Sequence, residues 1–155
     1  MTLCPGSDDY RNGFMRIMGL DFGGMTCGVA ISDELLITAQ PIITLRRKHE
    51  TKLRQTYAAI EELCMQYEVE KIVVGLPKKL DDSDSERTLR CREFAGNVAR
   101  RTGKETILWD ERLTTVQASR ILEEAGLSYK EKGQVIDKIA AAIILQSYLD
   151  SRETK

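Results

Sequence analysis

The sequence has no long apolar run. The longest, AAAIIL at 140–145, falls far short of the roughly 20 residues a helix needs to cross a bilayer. No membrane span, and so no membrane partner, is expected. Nor does MTLCPGSDDYRNGF, residues 1–14, offer the basic start and apolar centre of a secretory leader, so it reads as a flexible N-terminal extension. Four cysteines, Cys4, Cys27, Cys64 and Cys91, lack any CxxC spacing. That pattern argues for free thiols in a reducing cytoplasm rather than disulfides or a cysteine-held metal. An excess of positive charge is missing as well: 23 basic and 24 acidic residues leave a net charge of −1. Contact with nucleic acid must therefore come from local clusters such as Arg46-Arg47-Lys48, Arg87 with Arg90 and Arg92, or Arg100-Arg101, each of which also suits a solvated face. The one histidine, His49, sits in the polar stretch RRKHE and is expected in solvent, and the one tryptophan, Trp109, is expected to fill core.

What is present suits a single globular domain over 15–155, with 42% hydrophobic and 30% charged residues in a chain of 155. Residues 16–21 alternate, with Ile17, Gly19 and Asp21 on one face and Met18 and Leu20 on the other, as in a strand. GVAIS (28–32) and LITAQPIITL (36–45) follow after connections too short for parallel crossovers, which predicts an antiparallel meander with Pro41 at an edge or bulge. The period then changes. Leu53, Tyr57, Ile60, Cys64 and Tyr67 mark a helix, KIVVGLP (71–77) a buried strand, and Cys91, Phe94, Ala95 and Val98 a second helix closed by Gly103. ETILWDE (105–111) gives a fifth strand, a capping box opens a short helix from Thr114 to about Gly126, and 135–151 forms the most apolar helix, with Tyr148 in the core. Strand, helix, strand, helix, strand implies parallel pairing with right-handed crossovers. The expected fold class is an α/β five-stranded mixed sheet flanked by helices.

In such a sheet functional groups gather at the carboxyl ends of parallel strands. Asp21 ends the first strand before the Gly23-Gly24 turn, and Asp110 with Glu111 ends the fifth. Asp137, read as lying in the first turn of the final helix, stands beside the packing positions Ile136, Ile139 and Ala140. A carboxylate on an apolar surface is costly unless compensated, and a divalent cation with oxygen ligands compensates it. Structural roles compete at each position: Asp21 bracing its turn, Asp110 and Glu111 pairing with Arg112, Asp137 favoured by the helix dipole.

Four blocks, LDFGGMTCGVAISD, IVVGLPKKLDDSDSER, LWDERLTTVQAS and VIDKIAAAIILQSYLDS, occur in order, and together they resemble the YqgF family of Holliday junction resolvase-like proteins, also described as candidate pre-16S ribosomal RNA nucleases. The resemblance covers about 15–152. It implies a ribonuclease H-like fold and a hydrolase that cleaves structured nucleic acid with Mg²⁺ or Mn²⁺, during ribosome biogenesis in the cytoplasm, as monomer or homodimer. Carried over by motif, the acidic site is Asp21, Asp110 or Glu111, and Asp137, with Arg87, Thr114, Lys138 and Gly75 in support or on the substrate side; Lys79, outside the motif, is also expected to bind substrate. The chain departs from the family pattern at Met25, at Lys79-Leu80-Asp81-Asp82 and in the thinned basic segment YKEKGQ, which predicts weak binding with a shallow salt dependence.

The task implied is trimming of a ribosomal RNA precursor. A branched-DNA resolvase would use the same chemistry on another substrate shape, and a ribosome-assembly factor would bind nucleic acid without cutting it. Actin-like ATPases and sugar kinases share the Asp-x-Gly opening, but they need a second comparable domain, for which this chain has no residues.

Overall fold

The computed structural model describes residues 15–77, 85–111 and 129–153, with the backbone alone for 129–136 and 153. In chain order the elements are β1 (Arg16–Phe22), β2 (Thr26–Ser32), β3 (Ala39–Arg46), α1 (Arg54–Gln66), β4 (Val69–Leu76), α2 (Glu86–Thr102), β5 (Glu105–Asp110) and α3 (Tyr129–Glu153). The helix expected from Thr114, together with Lys79 and Arg112, lies outside the described residues.

The five strands stand in the order β3-β2-β1-β4-β5. The first three pair antiparallel and β4 and β5 join in parallel, as their connection lengths require. Pro41 fulfils both of its expected roles: β3 is an edge strand, and the register slips between Val29 and Ala30, where Pro41 pairs.

Period-two alternation gives the sheet two apolar faces. On one, α1 and α2 cover Met18, Leu20 and Phe22 of β1 and Ile72, Val74 and Leu76 of β4. Phe22 and Phe94 stack there at 4.1 Å, with Tyr57 5.6 Å from Phe94. Ile60, Cys64 and Val98 complete this core, so the stripes read from the sequence are the buried ones. On the other face α3 packs Ala141, Ile144, Leu145 and Leu149 against Ile17, Ala30 and Val73. Burial of side chains this size contributes about 1.5–3 kcal/mol each.

Helix α2 starts at Ser85, whose hydroxyl accepts the Thr88 N–H at 3.2 Å, and ends at Gly103 with φ 70°. That cap needs the left-handed backbone glycine adopts freely. His49 is exposed, and Cys27, Cys64 and Cys91 are buried free thiols. Among the described residues no helix is long and apolar enough to cross a membrane.

Candidate active site

The site begins with a shortage of side chains. Alternation along β1 turns Ile17, Gly19 and Asp21 toward α3, while Met18, Leu20 and Phe22 face the other core. Asp21 pairs with Gly28 of β2. A Cβ at Gly28 would fall on the carbonyl group of Asp137, so the backbone of α3 rests directly on the sheet there. Asp137 is thereby carried to the strand end that holds Asp21. On β1's other side Leu20 pairs with Val74, and the next residue of β4 is Gly75. A Cβ on Gly75 would stand 2.9 Å from Glu111 Oε1 and would also meet Ile144, so the Glu111 carboxylate lies over the bare backbone of β4.

The electrostatics agree with this geometry. Burial pushes the Asp21 carboxyl up to about 7, Glu111 and then Asp137 push in the same direction, and Arg87 opposes them. Glu111 is also raised, first by burial, with Arg87 lowering it and Asp110 adding to the rise. Arg87 stands in the first turn of α2, just after the Ser85 cap. An oxygen-only cluster whose negative charge exceeds what one guanidinium offsets suits a hard divalent cation. Among the described residues, however, no three Asp, Glu, His or Cys side chains stand close enough together to hold a metal ion between them. Mg²⁺ ordinarily keeps several water ligands and needs only one or two carboxylates from a protein.

The DER pair, left open by sequence, separates by parity. Leu108 joins the α1/α2 core, while Ile107 and Trp109 pack on the α3 side. Trp109, expected to fill core, packs partly buried against it, its ring edge-on to Tyr148 and its indole N–H donating to Ser147 Oγ at 3.2 Å. Asp110, the last residue of β5, therefore belongs to the α1/α2 face, while Glu111, one residue past the strand, is placed on the Asp21 side by its carboxylate over Gly75. Asp137 also differs from its reading, because α3 begins at Tyr129 and Asp137 lies two turns inside it. The helix-dipole account of that residue accordingly falls away. Lys138 is half-buried beside it, with its backbone nitrogen over Gly28. Lys79 and Thr114 lie outside the described residues.

Arg47 carries a role the sequence did not reveal. Within Arg46-Arg47-Lys48 its neighbours are exposed, but Arg47 is only 9% exposed. Its Nη2 donates to the carbonyls of Gly23, at 2.7 Å, and Gly24, and its Nη1 to Thr26 O at 3.3 Å. The guanidinium lies 4.9 Å over the Phe22 ring, and the Arg47 backbone N–H donates to Met25 O at 2.8 Å. Arg47 thus clamps the turn that follows Asp21. Nothing in the RRK run marks which of the three is buried.

Comparison with known proteins agrees with this architecture. The family described as RuvX: Holliday junction resolvase matches residues 15–151. A protein from Lachnospira eligens named "Putative pre-16S rRNA nuclease" is 52% identical over 139 residues, 90% of this chain and 99% of that one. One of the same name from Agathobacter rectalis is 54% identical over 136 residues, 88% of this chain and 95% of that one. Among solved structures, T. thermophilus RuvC in complex with a Holliday junction substrate superposes with a TM-score of 0.66 over 91% of this chain and 97% of that chain. Its 14% identity speaks to the fold alone, which is that of the RuvC-like, ribonuclease H-type resolvases. With a family match over 15–151 and about half of all positions shared with its relatives, the chain belongs to the RuvX family, the YqgF family its motifs resemble.

Proposed function

We propose that the protein is a metal-dependent endonuclease that cleaves phosphodiester bonds in structured RNA, with processing of the 5′ end of pre-16S rRNA as its task in the cytoplasm. The observation that carries this reading is the gathering of Asp21, Glu111 and Asp137 on one face at the carboxyl edge of the sheet, beside Arg87. The relatives' shared name supplies the substrate.

Asp21, Glu111 and Asp137 would hold Mg²⁺ or Mn²⁺, with Asp110 acting on Glu111 from one residue away. When bound, the ion supplies Lewis acidity for attack of water on phosphorus and departure of the leaving oxygen. The chain's own groups do the positioning. Arg87, already close enough to offset charge at Asp21 and Glu111, donates to a non-bridging phosphate oxygen. Arg47 keeps the turn, and with it Asp21, in one place. Close contact of α3 with Gly28 and Gly75 leaves the carboxylates half-buried, where electrostatic interactions are stronger than in bulk water. Lys138, Thr114 by motif, and Lys79 contribute on the substrate side.

A second reading, cleavage of branched DNA, draws support from the family description and from the likeness to a resolvase bound to a junction. The test compares wild type and Asp21→Asn on a labelled pre-16S rRNA fragment and a four-way DNA junction, each with Mg²⁺, Mn²⁺ or chelator. RNA cleavage that needs metal and Asp21 is the expected result. Cutting of the junction alone would favour the resolvase, and tight binding without cutting of either would leave an assembly factor.

A further inference from the structure

On the opposite side of the β1 terminus from Asp21 lies a cavity of about 710 Å³ that the chemistry above does not use. One wall is the turn Gly23-Gly24, with Phe22 beneath it. A second is the segment from Glu50 to Tyr57, and a third is α2 from Ser85 to Asn97. Its volume falls in the roughly 300–1,000 Å³ range of small-ligand clefts. That suits one base with its ribose and excludes a duplex.

The charges in its walls cancel. Arg90 pairs with Glu86 at 2.9 Å and reaches Glu50 at 3.5 Å, joining α2 to the segment before α1. Arg47 is committed to turn carbonyls. Arg87 and Glu93, the other two charged residues of the lining, offset each other in net charge, and the rest of the wall is aromatic, apolar or neutral and hydrogen-bonding. Asn97 Nδ2 donates to the Tyr57 hydroxyl at 3.0 Å. The Asn97 carbonyl oxygen and the Tyr57 hydroxyl proton, an acceptor and a donor side by side, have no partner among the described residues. A flat, uncharged ligand with alternating donors and acceptors matches that lining, as the edge of a nucleobase does. Arg87 belongs to both sites: it lines the cavity, and its charge reaches Asp21 and Glu111.

We propose that this cavity is a nucleotide subsite that takes, base first, one unpaired nucleotide of the strand whose phosphodiester lies at the carboxylates, with Arg87 on the phosphate between them. This rests on the nuclease reading. Extruding one base costs least where it is already unpaired, so the subsite selects loops, bulges or junction ends over regular duplex.

The test is an amide-resolved NMR titration of the metal-free full chain with each of the four ribonucleoside 5′-monophosphates, with ribose 5-phosphate and inorganic phosphate as probes lacking the base. At least one nucleotide should give saturable shifts at Gly23, Gly24, Thr51 and the Asn97 side-chain amide, with the two base-free probes at least tenfold weaker. Asn97→Leu, which removes the acceptor, and Thr51→Trp, which blocks the mouth from an exposed position, should each weaken the nucleotide tenfold or more. Thr51→Trp keeps the test decisive if Asn97→Leu does not fold. No shift at these amides, or equal shifts from ribose 5-phosphate, would overturn the proposal. Cleavage assays separate the two readings: an active nuclease without these shifts loses only the subsite, and shifts without cleavage of any RNA or junction remove the nuclease.

Discussion

Beneath α1 and α2 the sheet presents Leu20, Phe22, Ile72 and Val74, and the helices stand off on large side chains. Beneath α3 it presents, among Ile17, Ala30 and Val73, the glycines Gly19, Gly28 and Gly75, and at Gly19 and Gly28 the helix backbone comes down onto the strand. A Cβ at Gly19 would come within 2.7 Å of Leu145 Cβ and 2.9 Å of Ala141 O. The first face stores burial energy. The second gives some of it up to bring three carboxylates from separate elements together. The difference teaches that this site is made as much by side chains left out as by those present.

The sharpest way to break that contrast is Gly28→Ala, whose new methyl would occupy the place of the Asp137 carbonyl. We expect a destabilisation of about 3 kcal/mol, at the upper end for overpacking because backbone rather than a flexible side chain must yield. Cleavage should be lost even where the variant folds. Chemical denaturation and the nuclease assay check this together.

Next in size is the division within the DER pair. Glu111→Gln should lower cleavage by about 100-fold or more, and Asp110→Asn only about tenfold, as expected for a group acting through its neighbour. Equal losses would mean that strand parity does not divide the roles.

A smaller effect concerns stability against pH without metal. The Asp21 carboxyl is raised from 3.8 to about 7, so between those values the folded chain holds a proton that the unfolded chain releases. Stability must therefore fall as pH rises from about 4 to about 7, and remain reduced above it. Asp21→Asn should remove that loss. Its thermal midpoint should exceed wild type at pH 8 by roughly 5 °C, with the gap closing toward pH 4.

Smallest is the control on the first face. Gly96 on α2 is exposed, and among the described residues a methyl group there would meet nothing within 4 Å beyond its own helical turn, so Gly96→Ala should stabilise by about 0.5–1 kcal/mol through helix propensity alone. Chemical denaturation of the variant beside wild type checks it.

The fold was legible because its signals are local. The alternation in 16–21, the short connections around Gly23 and Asp33, and the stripe Tyr57, Ile60, Cys64 each fix one element, and connection length then dictates parallel or antiparallel pairing. The edge and bulge at Pro41 followed from its missing donor. The site was legible only as a set of candidates. Which of Asp110 and Glu111 meets Asp21 depends on which face Trp109 packs, a tertiary fact. The start of α3 lies upstream of its apolar stretch, so Asp137 looked like a helix-end residue. Arg47 is buried because Phe22 and the turn carbonyls receive it, and neither is adjacent in sequence.

On the metal-dependent reading, Asp21, Glu111 and Asp137 form one electrostatic unit made for a divalent cation. Its most direct test is the Asp21 side-chain carboxyl resonance, followed by NMR against pH with and without saturating Mg²⁺. A midpoint near 7 is expected in the metal-free protein, moved down by about two units or more when Mg²⁺ is present. A midpoint in the ordinary aspartate range that Mg²⁺ leaves unmoved would contradict it.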